Sequence, residues 1–394
     1  MEIRELTNDH NQEIHDLNVY AFRLEDNEET KKWVEDCFAN GIAYGAFSEE
    51  KLTSSVIVFP FEMYYHGRIL KMGGIGNVSS YPEVRGQGTI RQLLEKALEE
   101  MRDQGYVLSY LAPFSYRFYR KFGYKVAFEQ RQYQIMPEDF GPFEAPENRV
   151  ERVRYEDQKQ TIQSIYQQKV AQSVGPVRRT DWLWEKKFLP SDKKKVALYR
   201  DDQDSPKGYL VFEFTGQDQN TFKIHELMAL SGTAERSLWD FVSTHSSSFE
   251  SFTYTGRSDQ HLTHLFSEAD LKQTMMSHMM ARIVDMEDFL KQCPFQASQQ
   301  QEFWIEVRDV TAEWNNNVFK LSVSEHEVSV TIEEQPGNES RHLKGSIQTW
   351  TQLFMQFKTA DELQFEGSLA ASKETAQALQ DILPKGVPEL YDYF

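Results

Sequence analysis

Residues 69–101, ILKMGGIGNVSSYPEVRGQGTIRQLLEKALEEM, hold the pattern that decides the fold. The opening run suits a β-strand ending near Val78. Pro82, Gly86 and Gly88 then punctuate a turn. After it, Ile90, Leu93, Leu94, Ala97, Leu98 and Met101 recur at the spacing of one helical face. Arg91, Gln92, Glu95, Lys96, Glu99 and Glu100 fall between them and face outward. The Arg85-Gly86-Gln87-Gly88 stretch therefore sits at a helix N-terminus directly after a strand.

That position has chemical meaning. The first turn of a helix carries backbone N–H groups without intrahelical acceptors, and the helix dipole favours an anion there. Gly86 and Gly88 let the backbone approach a pyrophosphate with no Cβ in the way. Arg85 and Arg91 add positive charge. An ordinary glycine-containing loop reads the same way from the glycine pair alone. The stretch is not a dinucleotide fingerprint, because no G-x-G-x-x-G is present, and it is not a Walker loop, because no GK[ST] follows.

The whole chain sets the frame for this segment. At 394 residues it exceeds the roughly 250–300 at which one core stops growing, which predicts two or three domains. A formal charge of −18 argues against a nucleic-acid partner, which needs clustered Lys and Arg. The same acidity suits a cationic substrate, or simply keeps the protein soluble. No long apolar run predicts a membrane span, and the opening MEIRELTNDHNQE has no apolar signal region. Cys37 and Cys293 lie far apart, outside any CxxC pattern, and read as two free thiols. The expectation is a cytoplasmic protein with no metal.

Composition divides the chain into three regions: 1–145, 146–282 and 283–394. MPEDFGPFEAPENRVER, residues 136–152, carries three prolines and a glycine and reads as a linker or domain edge. The middle region contains KIHELMALSGTAERSLWDFVSTH, again strand, loop and apolar helix, with Thr233-Ala234-Glu235-Arg236 where the first region has its glycine turn. An acid at that turn disfavours a pyrophosphate. The last region opens with ARIVDMEDFL, and its FKLSVSEHEVSVTIEE alternates Phe319, Leu321, Val323 and then Val328, Val330, Ile332, predicting a hairpin with one buried face. SIQTWTQLFMQF and SKETAQALQDIL look helical.

Some thirty residues after the glycine turn comes FYRKFGYK, Phe118–Lys125, with the strand-like YVLSYLAP between them. In this order the two motifs resemble the GCN5-related N-acetyltransferase (GNAT) superfamily. The resemblance implies that the first motif binds the acetyl-CoA pyrophosphate and that the second places a tyrosine beside the thioester. Acetyl transfer to an amine requires that the amine lose a proton, that an oxyanion be stabilised and that the thiolate leave with a proton. Backbone N–H groups near Val78, Ser79 and Ser80 suit the oxyanion. Tyr119, neutral at pH 7 with an ordinary pKa near 10, suits the acid, while Tyr116 and Tyr124 read as packing. No base can be named within the first region: His66, in YYHGR, reads as a solvated turn histidine.

Tandem GNAT-like halves, the second degenerate, followed by an α+β tail, resemble the enhanced intracellular survival (Eis) family over essentially the whole chain. The implied fold is α/β (α+β), the tail being sterol-carrier-protein-like. The implied activity is acetyl-CoA-dependent N-acetylation of an aminoglycoside, polyamine or lysine-like amine, and the implied assembly is a homo-oligomer, a hexamer. Carried over by position, acetyl-CoA contacts fall at Val78, Ser79, Ser80, Arg85, Gly86, Gln87, Gly88, Thr89, Ile90, Arg91, Phe114 and Ser115. The acid falls at Tyr119 and the base at the α-carboxylate of Phe394. Phe22, Glu25 and Trp33 fall on the acceptor wall, although AFRLEDNEETKKW reads equally as a helix–turn–helix surface. Where the best-known members carry further arginines this chain has Gly86 and Gln87, so phosphate affinity rests more on backbone N–H groups. The sequence ends GVPELYDYF, whose aromatics suit either an anchored catalytic carboxylate or a plain hydrophobic latch. The rival class is a non-catalytic acyl-CoA or lipid carrier using the tail domain.

Overall fold

The structure is a computed structural model, and it describes residues 2–141, 149–188, 193–266 and 270–394. Residues 142–148 of the expected linker lie outside the described residues.

The chain begins with strand β1 (Glu2–Glu5) and the helix pair α1 (Asn11–Phe22) and α2 (Glu28–Ala39). Then come β2 (Ile42–Ser48), β3 (Lys51–Tyr65), β4 (Arg68–Ser80), helix α3 (Thr89–Asp103), β5 (Leu108–Leu111), α4 (Tyr116–Arg120) and β6 (Lys125–Val126). The middle stretch runs β7 (Glu129–Ile135), β8 (Val150–Val153), α5 (Tyr155–Val170), β9 (Val174–Val177), α6 (Asp181–Phe188) and β10 (Lys195–Arg200). It continues through β11 (Pro206–Thr215), β12 (Thr221–Ala229), α7 (Gly232–Ser243), β13 (Ser251–Arg257) and β14 (Lys272–Ser277). The last stretch is β15 (Met280–Ile283), α8 (Met286–Gln292), β16 (Gln301–Arg308), β17 (Val318–Val323) and β18 (Val328–Glu333). It ends with β19 (His342–Ser346), α9 (Ile347–Phe354), α10 (Ala360–Phe365), β20 (Leu369–Ala370) and α11 (Lys373–Asp381).

Three sheets result. The first has the order β1-β2-β3-β4-β5-β15-β6, with β9 paired to β3. The second runs β14-β7-β13-β12-β11-β10-β8 and the third β18-β17-β16-β19-β20. In the first sheet β4 and β5 are parallel and joined through α3; in the second, β12 and β13 are parallel and joined through α7. The crossover unit read in the opening stretch is thus present twice.

Side-chain alternation explains why the first sheet takes a layer on each face. Val56 and Val58 of β3 pack with Leu93, Leu94, Ala97, Leu98 and Met101 of α3. Ile57, Phe59 and Phe61 point the other way, into a core shared with α1, α2 and the third sheet.

Three expectations need adjusting. The chain enters the second sheet with β7, ahead of the proline-rich stretch, and strands β9 and β15 later return to the first sheet. Ala281–Ile283 of ARIVDMEDFL therefore belong to a strand between β5 and β6 rather than opening the last region. In the β17–β18 hairpin Phe319, Leu321 and Val323 are buried as the alternation requires, but Ile332 is 51% exposed, because β18 is the sheet edge.

Candidate active site

The strand that carries the glycine-rich segment is broken where chemistry is expected. Ser79 pairs with Ser55 and Gly76 with Ile57, so Asn77 and Val78 stand opposite Val56 alone: a β-bulge, with Asn77 at a φ of 48°. On its other edge β4 pairs with β5 only over Met72–Ile75. Beyond Ile75 the two parallel strands part, and β4 runs on to Ser80 with no β5 partner. Such a splay leaves strand N–H groups facing a gap, the arrangement a pantetheine arm or an oxyanion needs.

The gap opens into a cleft of about 740 Å³ lined by Val78, Ser79, Ser80, Arg85, Gly86, Gly88, Thr89, Ile90, Arg91, Phe114 and Phe118, with Phe22 on its rim. Gly86 and Gly88 both have φ of 81°, the left-handed region that an L side chain rarely adopts, and nothing stands within 4 Å of where a Cβ would be. Gly88 is also the N-cap of α3, so the helix begins at the cleft. Arg85 is exposed, and Arg91 lies 5.2 Å from the Phe122 ring centroid and 3.4 Å from Glu95. The hydroxyls of Ser79 and Ser80 are committed to Ser55 and Ser54 across the strand pair, each at 2.9 Å, so both serines offer the cleft their backbone. These residues fit a CoA pyrophosphate: an open cradle without side chains, a helix N-terminus and two guanidinium groups.

Gln87 and Ser115 are not among the cleft-lining residues. The Gln87 amide donates to the Glu83 carbonyl at 3.1 Å. Ser115 caps α4, accepting from the Phe118 N–H at 3.3 Å, and so fixes the helix that carries Tyr119. Tyr119 is buried and makes edge contacts with Phe114, Phe118 and Tyr124 at 5.4, 5.2 and 6.2 Å. Burial raises its pKa, and Tyr124 and Tyr393 add to the rise, so the phenol keeps its proton at neutral pH. None of the described residues hydrogen-bonds its hydroxyl. A neutral, uncommitted phenol has a proton to give.

Tyr393, which adds to that rise, leads to the last residue. Phe394 is buried against the first sheet, its ring 4.9 Å from Phe61 and 6.4 Å from Phe59. A Cβ added to Gly74 of β4 would stand 2.6 Å from the Phe394 ring, so that glycine makes room for it. Trp182 of α6 stacks on Phe59 at 5.2 Å and on Phe61 at 6.3 Å, completing an aromatic wall. Trp33 packs against the same core, whereas Phe22 opens on the cleft and Glu25 accepts from Asn27 in the turn between α1 and α2. The structure does not gather these three into one wall.

A buried ionic lock holds the last residues in place. Arg179 donates through Nε to both Asp392 carboxylate oxygens, at 2.9 and 3.0 Å, and through Nη1 and Nη2 to Glu226 at 3.0 and 2.6 Å. Lys187 reaches Glu226 at 2.6 Å and the Tyr391 carbonyl at 2.8 Å. Burial would raise the Glu226 carboxyl, but Arg179 and Lys187 outweigh it and hold the group below its ordinary range. Farther back, Glu389 N–H donates to the Val174 carbonyl at 3.0 Å, and the Gln130 side chain donates to Leu390 at 3.0 Å. Sequence reading missed Trp182, Phe59, Phe61 and this lock. A buried pair such as Arg179–Asp392, 213 positions apart, leaves no local signal.

His66 is half-buried rather than freely solvated. It occupies the β3–β4 turn, its pKa is lowered to about 4 by burial, and ten residues of strand, roughly 30 Å, separate the start of β4 from Val78. It lies at the wrong end of the strand to serve as a base. Among the described residues no group of three His, Cys, Asp or Glu side chains is arranged to hold a metal, and no helix is long and apolar enough to cross a membrane.

Comparison with known proteins agrees with this architecture. Residues 2–127 and 175–283 each match an acetyltransferase (GNAT) domain, and residues 286–391 match a sterol carrier protein domain. A conserved protein of unknown function from Enterococcus faecalis V583, described as a probable N-acyltransferase, is 33% identical. The match covers 100% of this chain and 99% of that one, with a TM-score of 0.93. Eis1 from Mycobacterium abscessus, 17% identical with all of both chains covered, has a TM-score of 0.83, a likeness of fold alone. A curated relative from Streptomyces avermitilis, described as an uncharacterized N-acetyltransferase, is 23% identical over 219 residues, and the match spans about half of each chain, 50% of this one and 52% of that one. Two GNAT domains and a sterol-carrier-protein-like domain thus make up the molecule.

Proposed function

We infer the reaction from one premise: the chain belongs to the acetyltransferase (GNAT) family. On that premise its first domain moves an acetyl group from acetyl-CoA directly to a primary amine. The observation that carries this reading is the cleft at the splayed end of β4, lined by the glycine cradle and the start of α3, with Tyr119 packed behind its Phe114 and Phe118 and the Phe394 ring packed on Gly74 of the same strand.

Acetyl-CoA supplies an activated thioester carbonyl when bound. The first turn of α3, Gly86, Gly88, Arg85 and Arg91 hold its pyrophosphate, and the bulged end of β4 orients the pantetheine arm and offers N–H groups to the carbonyl oxygen. With Phe394 as the last residue, its α-carboxylate, ordinarily of pKa near 3.5, is ionised and takes the proton from the acceptor ammonium. Tyr119 Oη gives its proton to the departing sulfur and is restored by the second proton that the nitrogen loses as the amide forms. The ionic lock around Asp392 fixes the base, and Phe59, Phe61, Trp182 and the Phe394 ring exclude water around it. The second domain contributes the lock, since Arg179, Lys187 and Glu226 all belong to it. Where the first domain has its glycine turn, Thr233-Ala234-Glu235-Arg236 already lie within the first turn of α7, capped by Ser231, and form no phosphate cradle.

The three-part layout supports reading the chain as an Eis-like member, and on that reading it is cytoplasmic and works as a homo-oligomer. The test is release of free thiol when the protein is incubated with acetyl-CoA and a panel of polyamines, aminoglycosides, lysine peptides and amino acids. Turnover of any amine above buffer supports the reading. CoA binding without turnover of any of them, or a co-purified lipid, favours a carrier instead.

A further inference from the structure

Helix α4, which carries Tyr119, is five residues long, Tyr116–Arg120. A helix that short does not hold its shape alone, and the carbonyls at its end run short of donors. Donors from outside the first domain fill the gap. Gln348 Nε2 of α9 donates to the Arg120 carbonyl at 3.0 Å, and Thr311 Oγ1 donates to the Lys121 carbonyl at 3.3 Å. Arg282 Nη1 of β15 donates to the Phe122 carbonyl at 2.6 Å, and Gln352 Nε2 of α9 to the Val126 carbonyl at 2.9 Å. Thr311, Gln348 and Gln352 all lie in the sterol-carrier-protein-like domain.

One carboxylate organises two of these donors. Asp309 and Arg282 form a fully buried ion pair, in which Arg282 Nη2 donates to Asp309 Oδ2. Asp309 Oδ1 accepts from the Thr311 and Ala312 N–H groups at 3.0 and 3.1 Å, fixing the turn that presents the Thr311 hydroxyl. Asn315 Nδ2 donates to Oδ2 at 3.0 Å. Gly123 has a φ of 80°, and a Cβ there would stand 2.7 Å from Arg282 Nη1, so the loop after α4 is shaped to admit the guanidinium. A charged, buried donor of this kind makes one of the stronger hydrogen bonds.

Tyr119 needs that support. Of the rings it touches, Phe118 moves with the same helix and Phe114 is 73% exposed, so its backbone must set the aim of its hydroxyl. A misplacement of about 1 Å in a reacting group can cost about 10²-fold in rate.

We propose that Arg282, Asp309, Thr311, Gln348 and Gln352 are positioning residues for Tyr119, and that the sterol-carrier-protein-like domain takes part in acetyl transfer by holding α4. This rests on the reading of Tyr119 as the proton donor.

Two measurements on the full chain separate the proposal from that reading. The Thr311→Val/Gln348→Met variant removes two donors at half-buried positions and leaves the Arg282–Asp309 pair intact, so the fold holds. Amide hydrogen exchange over residues 116–124 speeds up about tenfold in this variant, while exchange in α3 stays as in wild type. Unchanged exchange over 116–124 overturns the proposal whether or not the protein is an enzyme. Thiol release, with the amine that turns over fastest, is then compared in wild type, the double variant, Tyr119→Phe and the triple variant. The double variant lowers kcat about tenfold when Tyr119 is present and causes no further loss in the Tyr119→Phe background, where the hydroxyl it aims is gone. Thr311→Ser, which keeps the donor, turns over like wild type. An equal fall in both backgrounds reveals a purely structural role and overturns the proposal, while a large loss from Tyr119→Phe alone leaves the proton donor standing. No loss from Tyr119→Phe alone overturns the donor reading and the proposal with it.

Discussion

Arg179 and Asp392 form a fully buried ion pair, with Nε donating at 2.9 and 3.0 Å to a carboxylate two residues from the chain end. The arginine belongs to the second domain and the aspartate to the tail of the third, yet the group they position, Phe394, lies against the first. Contacts from all three parts thus meet at the last residues of the sequence.

Arg179→Met tests that arrangement. Removing one partner leaves Glu226 and Asp392 buried with only Lys187 between them. Breaking a buried pair costs about 3–5 kcal/mol, and the residual lysine places this case at the lower end. Chemical denaturation should show that loss, and thiol release should fall with it. A variant as stable as wild type would mean that the lock contributes nothing.

Gly74→Val tests contact rather than charge. The first added carbon would stand 2.6 and 2.9 Å from the Phe394 ring and 2.9 Å from Phe61. The chain end must shift, so kcat should drop at least tenfold while the dissociation constant for acetyl-CoA, measured by calorimetry, changes by less than about threefold. Equal loss of both would point to general damage of β4.

Tyr119→Phe removes a proton and keeps the ring. Its edge contacts with Phe114 and Phe118 remain, so the fold should hold. General acid catalysis contributes about 10²–10⁴-fold, and kcat should fall by the lower part of that range with KM for acetyl-CoA little changed. A fall in kcat of less than about threefold would remove Tyr119 from the reaction.

Stability should depend on pH through two histidines. Burial lowers both His66 and His278 from 6.5 to about 4. Between those values the unfolded chain binds protons that the folded chain does not. Stability contributed by the neutral rings is therefore present above pH 6.5 and is lost as pH falls toward 4. Each histidine adds at most about 1.4 kcal/mol per pH unit in that window. His278, whose ring stands 6.2 Å from Tyr393, is the one that touches the site, and His278→Gln should remove about one proton's worth of slope. An unchanged slope in denaturant titrations from pH 7 to 4.5 would contradict this.

What the sequence disclosed, and what it did not, follows from range. The cradle was legible because its chemistry is local: Gly86, Gly88 and the apolar stripe from Ile90 to Met101 lie within sixteen residues, and the structure joins them as loop and helix. The hairpin of residues 318–333 and the helices at 347–354 and 373–381 were legible for the same reason. The bulge at Asn77 left no signal, because it depends on register against Val56. Nor did the return of residues 280–283 to the first sheet, which depends on pairing with strands some 170 residues earlier. Trp182 reads as one more amphipathic-helix aromatic until the structure stacks it on Phe59. The aromatic ending suits two readings in the sequence, and only the long-range contacts of Asp392 with Arg179 and of Phe394 with Gly74 and Phe61 give it a location.

The central claim is that the chain's terminal carboxylate is the base, and a protein made by ligation to end in a Phe394 carboxamide tests it most directly. The amide keeps the buried ring, its contacts and nearly its shape, and removes only the charge and the ability to accept a proton. The account predicts that kcat falls at least about 10²-fold while acetyl-CoA affinity and thermal stability stay close to those of the same protein ligated with a free carboxylate. Equal turnover by the carboxamide and the carboxylate would contradict it.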